Sequence, residues 1–193
     1  MALLGGGDSL QVPTQEVVTE AQSRCMAETG AVLSLWSLYT HGLIDGAWQP
    51  RTAAQIAQDV RALQALGLKP LPIFNGPYPN SGAGIDYAAV YGAVNAAGSE
   101  VCVLDVEASC PVTPAQIADI ARMLEEASIV PVVYSTAARL AAMPSGALLQ
   151  WAASWYPSFD RADWPGPTRT GRVIGWQWWS GPDYDLSVWR GIP

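Results

Sequence analysis

Histidine is almost missing from this sequence. There is one, His41, beside three cysteines, Cys25, Cys102 and Cys110. An odd, sparse cysteine set does not read as a disulfide framework. With one histidine and no CxxC pair, a zinc site of the usual ligands is not expected. A Ser-His-Asp triad would have to use His41, and nothing near it forms a nucleophile elbow. Charge is scarce too: charged residues make up 14% and the formal net charge is −7. That argues against nucleic acid, whose binding draws largely on Lys and Arg. No apolar run approaches the roughly 18 residues of a membrane span. The start, "MALLGGGDSLQ", has no basic region and only a short apolar patch, so no secretory signal is expected. The expectation is a chain made in the cytoplasm, with no membrane segment.

Half of the 193 residues are hydrophobic, which suits a single globular domain over 1–193 with a full-sized core. Tryptophan is over-represented, with nine residues. Element types alternate along the chain. Strands are expected at 2–4, 31–39, 69–75, 101–107 and 129–135, and helices at 13–29, 52–66, 86–97, 113–127 and 136–143. Three further strands are expected at 147–155, 172–180 and 184–189. Alternation implies parallel βαβ units, near-continuous apolar strands imply a sheet covered on both faces, and eight strands suggest a closed barrel. The expected fold is an α/β, TIM-like barrel of five βα units followed by three strands. An open doubly wound sheet fits less well, because the helices stop after the fifth strand. Only Gly181-Pro182-Asp183 separate the last two strands. Three residues make a hairpin and not a parallel crossover, so the last strand should run antiparallel. The Pro- and Gly-rich stretch 156–171 is not expected to be helical.

The run "VCVLDVEASC" (101–110) reads as a buried strand tipped with carboxylates. Buried carboxylates are costly unless paired or used. By the period of two, Val103, Asp105 and Glu107 share one face, and Cys102, Leu104 and Val106 share the other. The all-apolar set should face the helices. Asp105 and Glu107 then sit inside the barrel mouth, at the C-terminal rim where barrels of this class carry their sites. Asp8 follows the first strand and Asp185 opens the last, so both belong to the same rim. Trp151 and Trp155 on the sixth strand, Trp176 and Trp178 (with Trp179) on the seventh, and Tyr134 at the end of the fifth are expected around it. Carboxylates ringed by aromatic faces suit a sugar chain, and glycoside hydrolysis needs two acids. Cys102 should lie between sheet and helices, Cys25 in the same layer, and all three thiols should be free.

The ordered segments "VLDVEAS", "VVYST", "QWAASW", "GWQWWS" and "YDLSVW" resemble the glycoside hydrolase family 25 muramidases and related glycoside-hydrolase-like domains. The resemblance covers 101–189 well, 30–75 in pattern and spacing, and 1–12 in position. It implies a barrel of five βα units and three strands that cleaves the β-1,4 bond after N-acetylmuramic acid in peptidoglycan, without cofactor or metal. It implies that Glu107 is the general acid, that Asp105 assists it or orients the acetamido group, and that Asp185 and Asp8 complete the acidic set. Two departures fall on strand ends that line the family's groove. The second strand ends in "LYTHG" in place of an acidic, Gly-containing motif, and the third in "PIFNG" in place of a Tyr-His pair, which puts Asn75 there. The expected partner is bacterial cell-wall glycan, met as a phage lysin or as a virion component among other virion proteins. The alternative is a non-catalytic structural or wall-glycan-binding barrel of a phage tail assembly.

Overall fold

The computed structural model describes residues 3–44, 47–75, 87–106, 113–142, 148–153 and 171–190. Its elements run β1 (Leu4–Asp8), α1 (Gln15–Thr29), β2 (Val32–Tyr39), β3 (His41–Ile44), β4 (Ala47–Pro50), α2 (Ala53–Ala65), β5 (Lys69–Phe74), α3 (Tyr87–Ala97), β6 (Val101–Asp105), α4 (Pro114–Glu126), β7 (Val130–Thr136), α5 (Ala137–Ala142), β8 (Leu148–Ala153), β9 (Gly171–Ser180) and β10 (Asp185–Trp189). Eight strands close into a barrel in the order β1-β10-β9-β8-β7-β6-β5-β2. β10 is antiparallel to both neighbours, and the remaining pairs are parallel. The hairpin expected from the three-residue gap is present. Gly181 N–H donates to Tyr184 O at 3.0 Å across the turn. Most of the stretch expected to lack a helix, 156–170, lies outside the described residues.

Helix boundaries follow local chemistry. Thr14 caps α1, and Gly30 ends it at φ 69°, a left-handed conformation glycine adopts without a Cβ clash. Thr52 with Gln55 and Thr113 with Gln116 form capping boxes on α2 and α4. Each satisfies backbone donors that a helix start leaves open.

Two apolar layers follow from strand alternation. Leu35, Leu71, Ile73, Val101, Val103, Val132, Trp151 and Trp189 fill the barrel interior. Cys102, Leu104 and Val106 face outward, among Val90, Val94, Ile117 and Ile120 of the helices. The parity expected of β6 therefore holds up to Val106. Cys102 lies in the outer layer, as its parity implies. Cys25 lies in a separate outer cluster beside α1, and both thiols are free. Cys110 lies outside the described residues.

Two features depart from the expected elements. The first strand is Leu4–Asp8 rather than 2–4, so its glycines lie within the strand. Their neighbours explain why. A Cβ on Gly5 would come within 2.6 Å of Cys25 Sγ, one on Gly6 within 2.8 Å of Trp189 Nε1, and one on Gly7 within 2.2 Å of the Trp36 ring. Large side chains occupy the space on both faces of this strand. The second departure is the β3–β4 hairpin, paired from His41↔Pro50 to Ile44↔Ala47, which extends the β2–α2 connection.

Candidate functional site

Three of the four acids singled out in the sequence come from the C-terminal rim. Asp8 ends β1, Asp105 ends β6 and Asp185 opens the descending β10. All three side chains face inward. Gly5 and Gly7 meet outer-layer side chains, which leaves Gly6 and Asp8 to the interior. Leu186 and Val188 belong to the outer cluster, so Asp185, Ser187 and Trp189 face in. Asp8 and Asp185 are direct cross-strand partners. The fourth acid, Glu107, lies outside the described residues.

Tyr39 joins the set and was not anticipated. It ends β2 with the inward parity of Leu35, and its hydroxyl donates to Asp8 Oδ1 at 2.7 Å. Burial raises its pKa well above 10, and the nearby charges of Asp8 and Asp105 push it further. The phenol is thus held protonated, as a donor between acids from opposite parts of the barrel. Strict alternation over "LSLWSLY" does not place it, since Leu33 packs outward and Leu35 inward across a register shift against β1. Tyr39's carbonyl accepts from Arg51 Nη1 at 3.2 Å, and Arg51 is itself paired with Asp59, which fixes the strand end.

Asp185 is set by burial and by donors. Burial raises its pKa above 3.8, opposed by hydrogen bonds from Ser180, from the Gly181 backbone and from Gln177. Gln177 Nε2 donates to Asp185 Oδ2 at 2.5 Å. Gln177 is a second residue the sequence reading missed. It lies between Trp176 and Trp178, which face outward, so it must face in. Beside Asp8 and Asp185 opens a cavity of about 550 Å³, lined by residues 8–14, Val17 and 181–185. Its walls are the β1–α1 loop and the β9–β10 turn, and they mix carboxylates and hydroxyls with Leu10, Val12, Pro13, Pro182 and Tyr184.

The aromatic residues divide. Trp151 lies inside the barrel, its ring 4.6 Å from Tyr134 and 4.8 Å from Trp189, centroid to centroid. Tyr134, Trp151 and Trp189 are all buried and form an aromatic floor below the carboxylates. Trp176 and Trp178 do not line the mouth. Both are fully buried in the outer layer, clustered with Val18, Ala21, Cys25 and Trp36. Expecting them at the rim took account of strand ends and neglected parity. β9 also carries irregular register against both β8 and β10, which obscures a simple alternation. Trp155 lies outside the described residues.

Asn75 acts on the backbone. Its Oδ1 accepts from His41 N–H at 3.0 Å, and its Nδ2 donates to His41 O at 3.4 Å. It thereby pairs with the chain where β2 passes into β3. His41 is buried, edge-on to Phe74 at 5.5 Å, with Nδ1 2.9 Å from Thr40 Oγ1. These contacts hold the β2 and β5 ends together. Among the described residues, no group of three or more His, Cys, Asp or Glu side chains is placed to hold a metal ion. No helix among them is long and apolar enough to cross a membrane. Inward carboxylates over an aromatic floor can hydrogen-bond sugar hydroxyls, move protons and stabilise developing positive charge.

No protein-family model matches the chain, and no curated protein matches it. Solved structures do match. An uncharacterised B. stearothermophilus protein aligns with a TM-score of 0.60 at 18% identity, over 95% of this chain and 94% of that one. The muramidase from Acremonium alcalophilum aligns with a TM-score of 0.58 at 14% identity, over 98% and 94%. The CTP1L endolysin aligns with a TM-score of 0.51 at 15% identity, over 97% of this chain and 66% of that one. At such identities the likeness establishes a shared barrel fold.

Proposed function

We propose that this chain is a peptidoglycan-cleaving glycoside hydrolase, muramidase-like, acting on the β-1,4 bond after N-acetylmuramic acid. The observation that carries the reading is the meeting of Asp8, Asp105 and Asp185 at one barrel mouth, above an aromatic floor. The muramidase and the endolysin of similar fold support the choice of cell-wall glycan as substrate.

In this reading Glu107 donates a proton to the glycosidic oxygen. Asp105, one pleat deeper on the same strand, stays ionised. It stabilises the oxocarbenium-like charge or orients the acetamido group, in a retaining or substrate-assisted reaction. Asp8 and Asp185 bind the sugar from across the mouth, with Tyr39 fixing Asp8. Trp155 and Tyr134 border the sugar ring.

The test is release of fragments from purified peptidoglycan, read by mass spectrometry, for the wild type and Glu107→Gln side by side. New reducing ends at N-acetylmuramic acid are expected from the wild type. Loss of a positioned acid should lower their release about 10²–10⁴-fold, with folding and glycan binding kept. Equal release by both proteins would remove Glu107 from the mechanism. No release by either, with wall binding intact, would replace the enzyme by a glycan-binding barrel.

A further inference from the structure

The cavity beside the mouth is chemically one-sided. It measures about 550 Å³ and opens between the β1–α1 loop and the β9–β10 turn, with Asp8 and Asp185 in the wall it shares with the mouth. Its charged side chains are Asp8, Asp183 and Asp185, with no Lys, Arg or His among the described residues that line it. Most of its side-chain donors are spent. The Ser9 hydroxyl donates to Gln11 O at 2.6 Å, and the Tyr184 hydroxyl donates to Glu20 Oε1 at 3.0 Å. Thr14 and Gln11 remain, both at exposed positions. Asp183 is exposed too, and has no hydrogen bond or ion pair among the described residues. On α1, the first turn adds Glu16, while Arg24 lies over the Trp179 ring at 4.4 Å and pairs with Glu28. That guanidinium is committed outside the cavity.

A cavity rich in acceptors is matched by a ligand that brings donors, and one walled by carboxylates is matched by a cation. The rest of the wall is apolar. Leu10 is 58% exposed at the lip, beside Val12, Pro13 and Pro182. This combination fits a chain that lays methylene groups on the apolar side and carries its charge to the acids. Peptidoglycan bears such a chain. The peptide stem on its muramic sugar includes a diamino acid, whose side chain ends in a primary ammonium until cross-linking acylates it.

We infer that this cavity binds the ammonium-bearing peptide stem of the wall glycan, so that strands with uncross-linked stems are preferred. The inference rests on the proposed function for the identity of the glycan. A de-N-acetylated amino sugar offers the same ammonium directly on its ring, without the methylene groups that Leu10 and Val12 would cover.

Calorimetric titration of the intact chain with small wall fragments tests this. Fragments that end in N-acetylmuramic acid hold no further bond of the type cut, so binding is read without turnover. A disaccharide with a free-amine tripeptide stem should bind about tenfold more tightly than the same fragment with its amine acetylated, since hydrogen bonds to charged groups are lost. Asp183→Asn should weaken the free-amine fragment about two- to fivefold, as for an exposed ion pair, and leave the acetylated one unchanged. Equal affinity of the two fragments for the wild type would overturn the inference, whatever the variant does. Tighter binding of a de-N-acetylated disaccharide without a stem would overturn the choice of the peptide. Cleavage of peptidoglycan without any preference would sink this inference alone. Preference for the free amine without cleavage would sink the proposed hydrolase and leave the binding site standing.

Discussion

Asp8 and Asp185 stand directly opposite each other on the first and last strands, β1 and β10, where the barrel closes. Like charges in register across an antiparallel pair oppose stability. The fold keeps them together at its mouth and supplies donors to each, Tyr39 to Asp8 and Gln177 to Asp185. A pair that a stable sheet would avoid suits the proposed site, which has to move protons and grip hydroxyls.

The cost of that placement should be measurable at Asp185. Burial raises its pKa above 3.8, so the folded state binds the proton more tightly than the unfolded chain. Its contribution to stability is fully present below the unfolded pKa and is lost as pH rises through the folded one. Asp185→Asn removes this titration. Urea unfolding of both proteins at pH 3 and pH 7 should show the variant gaining on the wild type as pH rises. A difference that is flat with pH, or that moves the other way, would contradict the burial argument.

Tyr39→Phe keeps the ring and deletes the donor to Asp8 Oδ1. Hydrogen bonds to charged groups contribute roughly 1.5–3 kcal/mol, and Asp8 is buried. A loss of about 2 kcal/mol at neutral pH is expected from denaturant midpoints at unchanged slope. A loss below about 0.5 kcal/mol would mean that water or another donor replaces the phenol.

Glycine positions give a paired test of the first strand. Gly7→Ala sets a Cβ into the Trp36 ring, 2.2 Å away, and Trp36 is fully buried and bonded to Ser9 Oγ. Overpacking of this kind costs about 1–3 kcal/mol or more. Gly92, within α3, has open space where a Cβ would go, so Gly92→Ala should stabilise by about 0.5–1 kcal/mol. Thermal unfolding of the two variants should move in opposite directions. Equal shifts would show that the tight fit of β1 does not govern its sequence.

Much of the barrel was legible because its signals are local. The cap at Thr113, the stop at Gly30 and the period-two parity of β6 are written over a few neighbouring residues. They specify elements and the face each side chain takes. The short gap at 181–183 went further and specified the direction of β10, since a three-residue link cannot cross a sheet. From that direction alone Asp185 belongs to the same rim as Asp8.

Other features depend on which elements become neighbours. "GGGD" was expected to follow a short strand at 2–4, because glycine weakens a strand when taken alone. It forms β1 because Cys25, Trp36 and Trp189 come from distant elements and leave no room for a Cβ. Trp176 and Trp178 read as rim aromatics, yet irregular register in β9 and the α1 surface turned them into outer packing. Asn75 read as a groove residue and instead clamps His41. Spacing along one strand or helix specifies most of the elements, the two faces of β6 and the rim position of Asp8, Asp105 and Asp185, because each is encoded over a few neighbouring residues. The partners of those acids, Tyr39 for Asp8 and Gln177 for Asp185, follow from the folded barrel, because a hydrogen bond between strands depends on register and closure, which no single segment encodes.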